Sequence, residues 1–356
     1  MRKNYFQIIS ARILIGALYL VLTACASPIT NIEITPTDES GSASVSESTP
    51  TLIPTLTPSP ERVILLAPPE ANPAHVSSLE TLVAELAGEA GLTWETRQAF
   101  SSDDIDSSLR LLIALPPDPG LESLVGASTE VQFLGIGIPG LVPAANVSLI
   151  GPIGFRFDQQ GFLAGYIAAM ITPDWRVGVI SLNDTRAGRA ALNGFINGVG
   201  YFCGTCRPVY PPYLHYPMYI GLTQAEVDVS WQLAVDALVQ ASVQTVYIPP
   251  EISSEPMLAE LVQRGIKIIG GEEPPSGLQS SWVATIRPDP AQAVRLLWED
   301  LLAGLGGASL PMPLVIEEVN PDLLSPGRLK LAESVILELL DGYIDTAVDP
   351  ITGEAK

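Results

Sequence analysis

The sequence predicts an α/β protein of two lobes, and three observations carry that expectation. The stretch Ile153 to Gly200 reads as helix, strand and helix in succession, apolar runs alternate with helical patterns on both sides of it, and about 295 residues remain after an atypical N-terminus. That length suffices for two lobes with substantial cores.

The first residues set the compartment. Arg2, Lys3 and Arg12 give a positive start, Ile13 to Leu22 an apolar run too short to favour a membrane span, and Leu22-Thr-Ala-Cys25 ends in small residues and a cysteine. Residues 1–24 therefore read as a lipoprotein signal, with Cys25 as the lipidated first residue of an extracytoplasmic, membrane-anchored protein; more than one acyl chain is needed for a stable anchor. Residues 25–61 are rich in Ser, Thr and Pro and cannot bury a core, so they read as a solvated tether.

Strands are expected at Arg62–Ala67, Leu92–Arg97, Leu111–Ala114, Val131–Ile136 and Val147–Ile150, with an amphipathic helix over Ser77–Ala90. Strands alternating with helices imply a parallel sheet with right-handed crossovers. In the central stretch Phe162, Leu163, Tyr166, Ile167 and Met170 recur at helical spacing, and Gly161, Gly165 and Ala169 form a smooth stripe that invites a flat partner. Pro173 closes that helix, Arg176–Ser181 has the apolar content of a buried strand, and Leu182-Asn-Asp-Thr185 supplies a turn and an N-cap before the helix Ala187–Val199. Further strands are expected at Val243–Ile248, Ile266–Ile269, Trp282–Arg287 and Leu314–Glu318, and helices at Val227–Val239, Pro256–Arg264 and Pro288–Ala303. Prolines at Pro116-Pro117 and Pro211-Pro212 mark loops.

The FDQQGFLAGYIAAMIT helix followed by RVGVISLNDTRAGRAALNGFINGVG resembles the basic membrane protein family, the purine-nucleoside-binding lipoproteins of ABC importers. In that family a FLAG-aliphatic-AA helix precedes a VG-aliphatic-aliphatic strand and a GF-x-x-G helix, and weaker similarity runs on to Ser281–Arg287. The resemblance implies a type I periplasmic-binding-protein fold, each lobe a parallel sheet flanked by helices, with a hinge that the chain crosses more than once. Periodicity alone allows two sequential domains. With the crossings, the first lobe takes 62–173 and about 288–310, and the second 174–287 and about 311–356.

Chemistry signals are few. Gly135-Ile-Gly-Ile-Pro-Gly140 matches G-x-G-x-x-G with Asp158 downstream, but Pro139 and Pro143 prevent the helix that a dinucleotide fingerprint must open. His75 and His215 stand among prolines and read as surface or rim residues. The adjacent pairs Glu272-Glu273 and Glu317-Glu318 would point to opposite faces of a strand, which suits no acid/base dyad. No enzyme, metal site or cofactor is expected. The net charge of −21 argues against nucleic acid as a partner. Cys203 and Cys206 form a CxxC, which in an exported chain can be a disulfide, half a zinc site or a redox pair. Without a second CxxC or clustered histidines, a loop-stapling disulfide is expected, with free thiols as the alternative.

Ligands of open α/β sheets sit beyond the carboxyl ends of the strands, which selects loops containing Asn72, Gly137 to Gly140, Asn183, Asp184, Glu251 and Glu272. In the resembled family an acid after an Ile-Gly strand end holds ribose hydroxyls and a lysine in the late hinge strand touches the base or sugar; Glu272 and Arg287 occupy the matching positions here. The same two residues read without the resemblance are solvated charges at a hinge rim. The chain departs from the family at its first loop, where Pro68 to His75 replaces a Gly-rich, aromatic-bearing segment, and at Pro249–Ser253, which replaces a second Gly-rich loop. Two functions follow: a monomeric solute-binding lipoprotein that delivers a small polar, nucleoside-like or sugar-like solute to an ABC permease, or a binding-incompetent or signalling relative that acts as a surface interaction protein.

Overall fold

The computed structural model describes residues 60–356; Cys25, the signal and nearly all of the tether lie outside the described residues. Twelve strands form two six-stranded sheets. The first contains β1 (Arg62–Leu66), β2 (Thr93–Arg97), β3 (Leu109–Ala114), β4 (Gln132–Ile136), β5 (Val147–Ile150) and the short β11 (Ser309–Leu310), in the order β11-β5-β4-β3-β1-β2 and parallel throughout. The second contains β6 (Val177–Leu182), β7 (Met218–Leu222), β8 (Thr245–Ile248), β9 (Lys267–Gly270), β10 (Trp282–Pro288) and β12 (Leu314–Glu317), in the order β12-β10-β9-β8-β6-β7. Only β12 runs antiparallel to its neighbour.

Each sheet is covered on both faces, which is why its strands read as continuous apolar runs. On the first sheet, helix α1 (Pro73–Glu89) and helix α7 (Ala291–Leu302) cover one face with Leu79, Val83, Val294 and Trp298, while Leu121 and Leu124 of the short α2 (Leu121–Ala127) join Phe133 and Ile138 on the other. On the second sheet, α5 (Val227–Gln240) and α6 (Glu255–Gln263) cover one face around Val235, Leu258 and Trp282. Its opposite face carries α3 (Phe157–Ile171), α4 (Arg186–Cys203) and α8 (Pro326–Leu340), packed around Ile167, Phe195, Tyr247 and Val335.

The sequence boundary at residue 173 is corrected by this packing. Helix α3 precedes that boundary yet lies in the second lobe's core, because its glycine stripe is complementary to α4 rather than to a strand. A side chain at Gly161 or Gly165 would meet the backbone carbonyls of Ala191 and Phe195, and one at Gly194 or Gly198 of α4 would meet those of Asp158 and Phe162. The flat partner is therefore a second helix with glycines of its own, backbone against backbone. The chain passes between the lobes three times: through 151–156 before α3, after β10 into α7, and from β11 back to β12.

Four strands or helices escaped the sequence reading, the seven-residue α2 among them. Strand β7 is an edge strand following cis bonds at Pro211-Pro212 and Tyr216-Pro217, where proline density reads as loop. Strand β11 is two residues long. Helix α8 buries Ala332, Val335, Ile336 and Leu339 at helical spacing, a signal present in the sequence beyond the last strand assigned. Helix α1 begins at Pro73 rather than Ser77: Asn72 Oδ1 accepts from the backbone N–H of Ala74 at 2.9 Å, and Pro73 occupies the first turn, where its missing N–H costs nothing.

Candidate functional site

A cleft of about 900 Å³ opens between the lobes. One side is built by the first turns of α1, which present Ala74, Ser77, Ser78 and Thr81 at helical spacing, and by the hinge residues Phe155 and Phe157. The other side comes from the loops after β8 and β9, which bring Pro250 and Glu251, then Gly271, Glu272 and Glu273. Gln160 of α3, Arg287 and Pro288 of β10 line the junction.

Phe155 and His75 form an aromatic shelf, their rings stacked with centroids 5.0 Å apart, and Phe157 tilts against Phe155 at 6.4 Å. The shelf has a fixed base. Gly137, with φ of 66°, lies directly beneath the Phe155 ring, where a side chain would come within 3.1 Å of Cε2. Desolvation, with the Arg287 charge adding to it, lowers the His75 pKa, so the imidazole is neutral at pH 7. His75 is thus a half-buried residue of the cleft lining, in the first turn of an α1 that starts four residues earlier than expected.

The acidic side is positioned by two close approaches. A side chain at Gly270 would collide with the Trp282 indole and one at Gly271 with the Pro250 ring, so glycine at both positions lets β9 end flush against its neighbours and project Glu272 into the cleft. The Trp282 indole N–H donates to Thr285 Oγ1 at 3.0 Å, and that hydroxyl donates to the Glu272 carbonyl at 3.0 Å. Glu251 sits in a single 3₁₀ turn, Pro250–Ile252. Desolvation in the cleft wall raises its pKa, and the Glu272 carboxylate raises it further; Glu272 is raised by desolvation.

Of the residues selected from sequence, Asn72, Glu251, Glu272 and Arg287 are brought together on one cleft. Asn72 contributes less than expected, since its carbonyl oxygen is committed to capping α1. Arg287 does not reach for Glu272: its Nε donates to Glu317 at 2.7 Å, an acid on the antiparallel neighbour β12 that the sequence reading left out of the site. Asn183 and Asp184 lie elsewhere. The Asn183 N–H extends the β6–β7 ladder to Leu222 O at 2.9 Å and the Asp184 carboxylate accepts from Gln224 N–H at 3.0 Å, so this loop is tied to the outer edge of the sheet. The Gly137 to Gly140 segment underlies the shelf through Gly137, and no helix follows it.

Sequence reasoning missed the shelf. Phe155 and Phe157 flank Arg156 just before α3, and their signal was the apolar pair itself, at a lobe crossing, without a strand or helix period to account for it. Gln160, 2 % exposed, was also missed; its Nε2 donates to Ile286 O, which fixes this side chain at the cleft junction. Cys203 and Cys206 close the end of α4 remote from this cleft, with Cα atoms 5.2 Å apart and their sulfurs in bonding contact. Among the described residues no group of three His, Cys, Asp or Glu side chains converges to hold a metal, and no helix is long and apolar enough to cross a membrane.

No family model matches the chain, and neither does any curated protein. Solved structures do match. An ABC transporter solute-binding protein from Conexibacter woesei superimposes with a TM-score of 0.58 at 14% identity, over 80% of this chain and 98% of that one. A transcriptional activator of the comK gene from Bacillus halodurans gives 0.55 at 13% identity, over 80% and 99%, and an ABC transporter solute-binding protein from Aeropyrum pernix 0.52 at 15%, over 80% and 93%. At such identities the likeness is one of fold: the chain has the two-lobed type I periplasmic-binding-protein architecture.

Proposed function

We propose that the chain is an extracytoplasmic solute-binding lipoprotein of the basic membrane protein type, anchored through Cys25, which captures a small polar ring-bearing solute between its lobes and presents it to an ABC permease. The observation that carries this reading is the composition of one cleft from both lobes: an aromatic shelf of His75, Phe155 and Phe157 on one side, and acceptors Glu251, Glu272 and Glu273 on the other. Such a pairing suits a molecule with a flat or pyranose-like face and hydrogen-bond donors on its edge, because stacking holds the face while carboxylates accept from the edge. The nucleoside-like or sugar-like class inferred from the family resemblance has both features. Closing the lobes over a solute buries it from two sides, and a ligand that binds only the closed arrangement shifts the population toward it.

Other proteins with this architecture include both named transport components and a named transcriptional activator, so the fold by itself does not choose between uptake and signalling. One observation favours the second reading, a surface interaction protein: Tyr201 of α4, Tyr210 and Tyr213 of the loop after it, and Tyr219 of edge strand β7 are all exposed. A thermal-shift screen of nucleosides, bases and sugars against the purified protein separates the readings. A solute at a hundred times its dissociation constant adds about 2.7 kcal/mol to the stability of the bound form. Absence of any stabilising solute from all three classes would move the assignment to the surface role.

A further inference from the structure

The charges around the cleft do not balance. Glu251, Glu272 and Glu273 line its second-lobe side, and among the lining residues Arg287 is the one permanently charged cation. Its Nε donates to Glu317 at 2.7 Å, so the charge of this cation is offset by an acid of β12. His75 contributes no positive charge at pH 7, since desolvation and Arg287 both favour its neutral form, although Asp289 nearby opposes them. Three acceptors from two loops thus share one cavity whose permanent cation is paired with a fourth acid. A neutral polyhydroxylated ring would satisfy their lone pairs but leave their mutual repulsion in place, and an anion would add to it.

Building on the solute-binding reading, we propose that the cleft selects a cationic ring-bearing solute, a molecule with a stackable face at one end and an amine, guanidine or quaternary ammonium group at the other, and discriminates against neutral and acidic analogues. The shelf and the carboxylates come from opposite lobes, so this bipolar solute lies across the cleft, ring on Phe155 and His75, positive group among Glu251, Glu272 and Glu273. Gln160, its amide held through Nε2 by Ile286 O, lines the junction as well. The three carboxylates come from two loops, and among the described residues no set of three acidic, His or Cys side chains could hold a metal; an organic cation, with charge spread over several N–H groups, fits that arrangement. Outside the lining, Glu317 offsets Arg287 and Asp289 lies close enough to act on His75, which adds one more net negative charge to the surroundings.

The test is calorimetric titration of the full chain with matched triplets: tyramine, N-acetyltyramine and 4-hydroxyphenylacetate; glucosamine, N-acetylglucosamine and glucuronate; benzamidine, benzamide and benzoate. The proposal expects at least one cation to bind about tenfold or more tightly than its neutral and acidic counterparts, with that preference collapsing in a Glu251→Gln, Glu272→Gln, Glu273→Gln variant and Phe155→Ala weakening all members of the triplet alike. The Gln substitutions keep shape while removing repulsion, so retained cation preference in that variant overturns the charge assignment. A neutral or acidic member that binds as tightly as its cation also overturns it while leaving the solute-binding reading intact. Failure of every member to bind, when a nucleoside or sugar from the broader screen does, overturns it in the same way, and failure of both panels removes the solute-binding reading as well.

Discussion

The Thr285 hydroxyl donates a 3.0 Å hydrogen bond to the backbone carbonyl of Glu272, joining the crossing strand β10 to the loop that enters the cleft. The same hydroxyl accepts from the buried Trp282 indole, so one oxygen satisfies a core donor and fixes the backbone that aims a site carboxylate. Thr285→Val keeps the shape and removes both bonds. Leaving the indole N–H unpaired costs about 1–3 kcal/mol of stability, read from the denaturant midpoint, and loosens Glu272 enough to weaken solute binding. An unchanged midpoint would show that neither bond contributes.

Helices α3 and α4 meet backbone to backbone. Gly198→Ala places a methyl on the Phe162 carbonyl, and the helices must separate, at a cost of about 1–3 kcal/mol or more. Gly200→Ala, one half-turn on in the same helix, has open space around the new methyl and should be neutral or stabilise by up to about 1 kcal/mol through helix propensity. Chemical denaturation of the two variants checks the contrast, and equal effects would remove the close approach as its explanation.

The cleft carboxylates give a pH signature. Glu251 has a folded-state pKa raised by desolvation and by Glu272, so its ionised form opposes folding at neutral pH, and acidification through the raised pKa toward the ordinary glutamate range relieves that cost. Glu251→Gln should therefore raise Tm at pH 7 without ligand, the gain shrinking as pH falls through that window. His75 acts in the opposite sense. Its lowered pKa means the unfolded chain binds the proton first, so its contribution declines as pH drops below about 6.5. His75→Gln should flatten that decline, and a slope identical to the parent's would take His75 out of the desolvated wall.

Anchoring and oxidation are separable. Cys25→Ala should release the exported protein from the membrane fraction into the aqueous phase of a detergent partition, and continued membrane retention would contradict the lipoprotein reading. Unreduced peptides spanning Cys203 and Cys206 should show the mass of a closed four-residue ring; two alkylatable thiols in protein from its native compartment would contradict the disulfide.

Much of the fold was legible because buried strands leave continuous apolar runs. Val63 to Leu66, Leu111 to Ala114 and Val177 to Leu182 are buried on both faces and carry no polar alternation that could mislead. Edge elements had weaker signals: β7 alternates half-buried and exposed residues over five positions and β11 is only two residues long. In the site, Glu272 was legible because a strand ending in Gly-Gly must place its next residue beyond the sheet edge. Phe155 and His75 were not, since their meeting depends on a lobe crossing and on the capping of α1 by Asn72, one a long-range relationship and the other a four-residue shift in a helix start. Asn183 and Asp184 obeyed the strand-end rule, yet β6 lies beside the edge strand and its loop is held outward by Leu222 and Gln224.

The central claim is that the two lobes share one solute between the aromatic shelf and the acidic loops. Calorimetric titration of the parent, Phe155→Ala and Glu272→Ala with the tightest solute found by screening tests it most directly. Removing the stacking face from one lobe or the carboxylate from the other should each weaken binding by about tenfold or more, while Asn183→Ala, on the outer edge, leaves affinity unchanged. Affinities of Phe155→Ala and Glu272→Ala both within about threefold of the parent would contradict a solute held between the lobes at this cleft.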